Sequence, residues 1–171
     1  MREFISGILL IICFLLQSTL FSQFTIGGIE PNLLIILVAS VGFLVDRKAG
    51  LILGFFAGLL TDIFFGSVIG IYALMYMYIG FINGFFKKIL YSGDFKLPIG
   101  LIALSDLFFG HIYYFVMFMI KGDFHYTYYL FSIILPEVIY TSVIACILYP
   151  LINIIYKKIE KFEERIDTPI G

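Results

Sequence analysis

Six apolar runs, broken only at charges, prolines and glycines, fill this chain and leave little polar sequence between them. A helix crossing the hydrocarbon of a bilayer needs about 20 apolar residues, within a range of roughly 17–25. The runs at about 4–22, 29–45, 49–65, 68–86, 97–120 and 128–155 reach or approach that length. Composition agrees: 61% of residues are hydrophobic, 13% are charged, and mean hydropathy is +1.06. That leaves too little polar sequence to cover a globule in water. The expected fold is an all-α integral membrane protein, one transmembrane domain over 1–171.

Orientation follows from the cations, because basic loops stay on the cytoplasmic side. With the N-terminus inside, six spans put Arg2, Arg47, Lys48, Lys87, Lys88, Lys96, Lys157, Lys158, Lys161 and Arg165 in the cytoplasm. Only Lys121 is left outside. Removing any one span scatters the later basic clusters over both faces. The expectation is six helices with both termini cytoplasmic and a charged tail over 156–171. The first run has only Met1-Arg2-Glu3 before it and no small-x-small site after it, so it reads as an uncleaved helix. The second is the shortest, with Pro31 in its first turn and Glu30 at the positive end of its dipole. Tyr126, Tyr128 and Tyr129 outside, with Tyr91 and Tyr156 inside, supply an interfacial belt in a chain without Trp.

The same arithmetic excludes several function classes. A net charge of −1 gives no basic stripe for nucleic acid. Cys13 and Cys146 lie inside apolar runs, and no disulfide frame or Cys-based metal site is legible. No nucleophile–base motif, metal spacing or phosphate loop appears, so neither an enzyme nor a cofactor is expected. With connections of a few residues, the protein works through its membrane faces.

The most informative stretch is GLILGFFAGLLTDIFFGSVIGIYAL, from Gly50 to Leu74. Gly50, Gly54, Gly58, Asp62, Gly66 and Gly70 recur every four residues, and the next helix carries Tyr72, Tyr76, Gly80 and Gly84. Small-xxx-small spacing lets membrane helices approach backbone to backbone. A period of four drifts by about 40° per step on a helix of 3.6 residues per turn. Such a stripe can pack the third helix on the fourth, dock a partner helix, or do both. A hairpin turning near Ser67 places Tyr72 or Tyr76 within reach of Asp62.

Pro31-Asn32-Leu33-Leu34 together with this glycine stretch resembles the signature of the MreD family of rod shape-determining membrane proteins. The most specific part is Gly58-Leu59-Leu60-Thr61-Asp62 through Gly66, Gly70 and Ala73-Leu74. The resemblance implies a non-enzymatic subunit of the bacterial elongation machinery in the cytoplasmic (inner) membrane, which organises peptidoglycan synthesis. It implies MreC as a single-span partner and, through it, MreB, RodA and a class B penicillin-binding protein. It also implies a bundle similar to the substrate-binding S components of energy-coupling-factor vitamin transporters.

Three acids fall inside spans, Asp62, Asp106 and Glu137, with no Lys or Arg beside them. Intramembrane acids are costly, by roughly 2.5–3.5 kcal/mol on insertion scales, and mark functional positions by default. His111 and Glu137 are expected at similar depth on adjacent antiparallel helices, where they can pair. Pro136 frees the Ser132 carbonyl and should kink the last helix beside Glu137. Thr61-Asp62-Ile63-Phe64-Phe65-Gly66 is echoed by Ser105-Asp106-Leu107-Phe108-Phe109-Gly110, an internal repeat or a coincidence in a chain of 20 Phe. His125 is expected in an outer loop.

Two functions of different class follow. One is a scaffold whose small-residue faces accept an MreC-like span, a lipid-embedded body that can also form a homodimer. The other is a small-molecule binder of S-component type, with an outward pocket near Glu137 and His111. The AxxxA pattern of such components is missing from Phe4–Phe21.

Overall fold

Apolar residues on all sides make a helix a core element rather than a surface one, and the second helix is the extreme case in this chain. In a computed structural model, residues 2–21, 23–25, 27–89, 95–122 and 125–167 are described. Among them six helices are found. The first, α1 (Arg2–Leu15), widens into a π-helix, Leu16–Phe21. Next come α2 (Leu33–Leu44), α3 (Arg47–Phe65) and α4 (Ile71–Asn83), the last continued by a 3-10 turn, Gly84–Lys88. Then come α5 (Lys96–Lys121) and α6, which opens at Tyr126–Tyr129, passes through a π-helical turn, Leu130–Ile134, and continues as Leu135–Asp167.

Four of these helices are long and apolar enough to cross a membrane: Arg2–Phe21, Arg47–Phe65, Lys96–Ile120 and Tyr126–Arg165. With 12 residues, α2 spans about 18 Å at 1.5 Å per residue, little more than half of a hydrocarbon core of about 30 Å. Every residue from Leu33 to Phe43 is buried. It contacts all five other helices and forms the axis of the bundle. Around it, Phe4, Phe64, Phe108, Met119 and Ile139 turn outward, the apolar exterior that lipid requires.

The run expected over 29–45 therefore gives a shorter helix. Pro31 does not enter its first turn: Asn32 is the N-cap, its Oδ1 accepting from the Ile35 amide at 3.2 Å. A cap needs a residue outside helical dihedrals with a short polar side chain, and Asn32 supplies it one residue later than the proline suggested. The irregularity expected at Pro136 takes the form of the π turn just before it, which contains Ser132. The charged stretch from Tyr156 continues α6, which runs on to Asp167.

The start of α1 and the last turns of α6 meet at one end of the bundle. Arg2 Nε donates to Glu163 Oε2 at 2.6 Å, and the Ser6 and Tyr156 hydroxyls share a hydrogen bond. At that end Lys87 Nζ donates to the Val45 carbonyl, and the Arg47 guanidinium lies 4.7 Å from the centre of the Phe85 ring. The helix termini that carry the ten cytoplasm-assigned cations thus lie together. Tyr91 falls outside the described residues.

Candidate functional site

The α3–α4 hairpin is where the glycine ladder acts. A methyl added at Gly50, Gly54, Gly58 or Gly80 would lie under 3.0 Å from the backbone of the facing helix. Gly84 is similarly close to Arg47. Two helix backbones can approach so closely only where neither carries a side chain. This contact consumes the stripe: the faces of Gly50, Gly54 and Gly58 are covered by α4. Gly66 closes α3, its amide donating to the Asp62 carbonyl at 3.0 Å. Gly70, with φ at +108°, supplies the left-handed turn that opens α4.

Asp62 does not meet a tyrosine hydroxyl. Its carboxylate accepts from the backbone amides of Gly70 at 3.0 Å, Tyr72 at 3.1 Å and Ala73 at 2.9 Å. Buried to 1% exposure, it caps the first turn of α4 from the neighbouring helix, at the positive end of that helix dipole. Sequence reasoning aimed at side chains because Tyr72 and Tyr76 follow the turn. The unpaired amides of a helix start, whose own N-cap Gly70 has no side chain, are the stronger claimants.

The start of α2 is a second buried terminus, and it is satisfied from three other helices. Gln17 Oε1, from the π-helical continuation of α1, accepts from the Leu34 amide at 3.2 Å. The Asn32 amide donates to Thr141 Oγ1 of α6 at 3.0 Å, and Tyr76 of α4 donates its hydroxyl to Asn32 Oδ1 at 3.0 Å. Asn32, 4% exposed, is thus the node joining α2, α4 and α6. The sequence reading treated Asn32 only as part of a motif and passed over Gln17 and Thr141. The available signal was a short polar interruption of an apolar stretch: Gln17-Ser18-Thr19, Asn32 and Thr141-Ser142.

Above this node lies a cavity of about 620 Å³. It is roofed by Gly27, Gly28 and Glu30, walled by Tyr72, Tyr76 and Phe109, and reached by Glu137 from α6. Gly27, Gly28 and Tyr128 at its mouth are exposed, at the end of the bundle opposite the basic one. α2 begins only at Leu33, and residues 27–32 just before it line the cavity.

The remaining polar residues separate. His111 donates from Nδ1 to the Leu107 carbonyl at 2.7 Å, one turn back on α5, and its ring faces Tyr126. No hydrogen bond or ion pair joins it to Glu137 among the described residues, and it does not line the cavity. Asp106, 2% exposed, has two carboxylate oxygens without a hydrogen bond, the nearby hydroxyl being that of Thr141. The echoed hexapeptides do different work: Asp62 caps a helix and Gly66 ends one, whereas Asp106 faces α6 and Gly110 packs against Ile134. His125 is exposed at the start of α6. No group of three or more His, Cys, Asp or Glu that could hold a metal occurs among the described residues.

Helices with apolar exteriors, a buried axial helix and a close glycine hairpin define a polytopic all-α membrane protein. Its family can be stated as well. The chain belongs to the family of rod shape-determining protein MreD, whose model matches residues 1–159. It is therefore a membrane protein of rod-shape determination. No curated protein and no solved structure matched it.

Proposed function

We propose that this chain is a non-enzymatic scaffold of the cell-wall elongation complex in the bacterial cytoplasmic membrane. In this reading it holds an MreC-like single span against its flank. Through that partner it is linked to MreB, RodA and a class B penicillin-binding protein. The observation that carries the reading is a lipid-facing groove of about 680 Å³ between α1 and α3, lined by Phe4, Gly7, Ile11, Ile52 and Phe56. The ladder glycines are engaged inside the hairpin, but a Cβ on Gly7 would meet nothing within 4 Å. An open glycine in an apolar groove offers a second helix close backbone approach, and packing drives such contacts in lipid. The ladder then serves docking indirectly, by fixing α3 as the rigid wall of the groove.

Photo-crosslinking in native membranes tests this. Probes at Ile11, Ile52 and Phe56 should capture a single-span wall-synthesis protein, and probes at Val143 and Ile147 on the exposed side of α6 should not. Capture from α6 alone would overturn the groove assignment. Capture of a second copy from α1 and α3 would make the groove a homodimer face instead.

A second reading, binding of a small molecule, is favoured by the cavity below Gly27 and Gly28. Its volume lies within the roughly 300–1,000 Å³ of ligand sites, and its lining mixes aromatic rings with a few polar groups.

A further inference from the structure

Polar groups at the cavity floor are matched, apart from the acids. Asn32, Gln17, Tyr76 and Thr141 bond to one another or to helix amides. Glu137 lines the cavity and makes no hydrogen bond or ion pair with any described residue. Behind it, Asp106 is 2% exposed with both oxygens unpartnered. Asp106 and Glu30 act on Glu137 as like charges. Glu30 and Glu137 are the charged residues of the lining, and no Lys, Arg or His joins them among the described residues. A carboxylate taken out of water without a counter-charge is costly, and Glu137 lines a half-enclosed space whose walls carry a second acid and, among the described residues, no cation.

The other walls restrict what could supply that charge. Tyr76 and Phe109 are stacked with centroids 5.2 Å apart, and Tyr72 lies 5.8 Å from Phe109. Aromatic faces attract a cation in a desolvated site. A space of about 620 Å³ is far larger than a bare metal ion, and no cluster of metal ligands is present among the described residues.

We infer that the cavity is a binding site for a small organic cation, an ammonium or guanidinium group on an apolar or aromatic body. The charge sits beside Glu137, with Asp106 and Glu30 contributing through space. The body lies against Tyr72, Tyr76 and Phe109, and entry is from the outer end past Gly27 and Tyr128. This inference rests on the small-molecule reading and is independent of the docking groove.

The test uses the full chain in nanodiscs of neutral lipid and three matched probes: phenethylammonium, 2-phenylethanol and 3-phenylpropionate. Thermal unfolding and saturation-transfer NMR report binding. The ammonium probe should raise the unfolding midpoint saturably, and the alcohol and carboxylate should not. Glu137→Gln should weaken that probe at least tenfold while its unliganded form stays at least as stable as the parent. Equal binding of the alcohol, unaffected by Glu137→Gln, would overturn the cation assignment and leave the small-molecule reading standing. No saturable response to any probe would overturn both.

Discussion

The carboxylate of Asp62, in the last turn of α3, accepts the amide of Ala73 at 2.9 Å in the first turn of α4. Two further amides, from Gly70 and Tyr72, converge on the same side chain. An acid that would be costly in lipid is thus placed where donors and a helix dipole already wait for a negative charge. The close hairpin makes this possible. Without glycine at Gly54 and Gly58, α4 would stand too far from α3 for its first turn to reach Asp62.

Asp62→Ala should therefore destabilise the protein by about 3 kcal/mol, since one buried and two half-buried amides lose a charged acceptor. Asp62→Asn should retain about half of that stability, because one amide oxygen still accepts while the NH₂ meets donors. Reversible unfolding in lipid nanodiscs or by steric trapping measures both. Equal stability of all three proteins would show that water replaces the carboxylate.

Glycine substitutions separate packing from docking. Gly58→Ala places a methyl under 3.0 Å from the α4 backbone and should cost about 2–3 kcal/mol through forced separation of the helices. Gly7→Leu should leave stability within about 0.5 kcal/mol, because its Cβ enters open space. The scaffold reading adds that Gly7→Leu reduces co-purification of the single-span partner. A stable Gly7→Leu protein that keeps its partner unchanged would move docking away from α1.

The node at Asn32 is open to a double-mutant cycle. Asn32→Ala removes the cap of α2 and the acceptor for Tyr76, and should cost about 3 kcal/mol. Tyr76→Phe should cost about 1 kcal/mol, and the two together less than their sum, with a coupling of about 1 kcal/mol. Strict additivity would mean that the two side chains do not act through one bond.

Asp106 should behave in the opposite way to Asp62. Asp106→Asn removes a charge whose oxygens have no hydrogen bond, so stability should stay level or rise by about 1 kcal/mol. The same unfolding assay reads this result. A loss as large as that for Asp62→Ala would place a counter-charge beside Asp106 in the native membrane.

Local rules carried much of the architecture. Apolar runs of the right length are helices in lipid because no other open structure satisfies its own backbone, so α1, α3 and α5 were legible within a few residues, and α6 at its start but not at its end, which lies at Asp167. The ladder of Gly50, Gly54 and Gly58 announced a close helix contact for the same kind of reason: a missing side chain is visible in a sequence. The positions of the cations along the chain already grouped one end of each helix. Membership of the MreD family was likewise written in the stretch from Pro31 to Leu74.

Partnership was decided only in three dimensions. Asp62 and Asp106 sit in nearly the same hexapeptide, yet one meets three amides and the other meets none, because only the first lies beside the open start of another helix. His111 turned to its own helix at Leu107, and Glu137 turned into a cavity. That cavity exists because α2 begins at Leu33, where Asn32, Gln17 and Thr141 from three segments satisfy a terminus that no local pattern could satisfy. A sequence states what a residue can bond to. The tertiary structure decides which of those bonds the packed helices bring within reach.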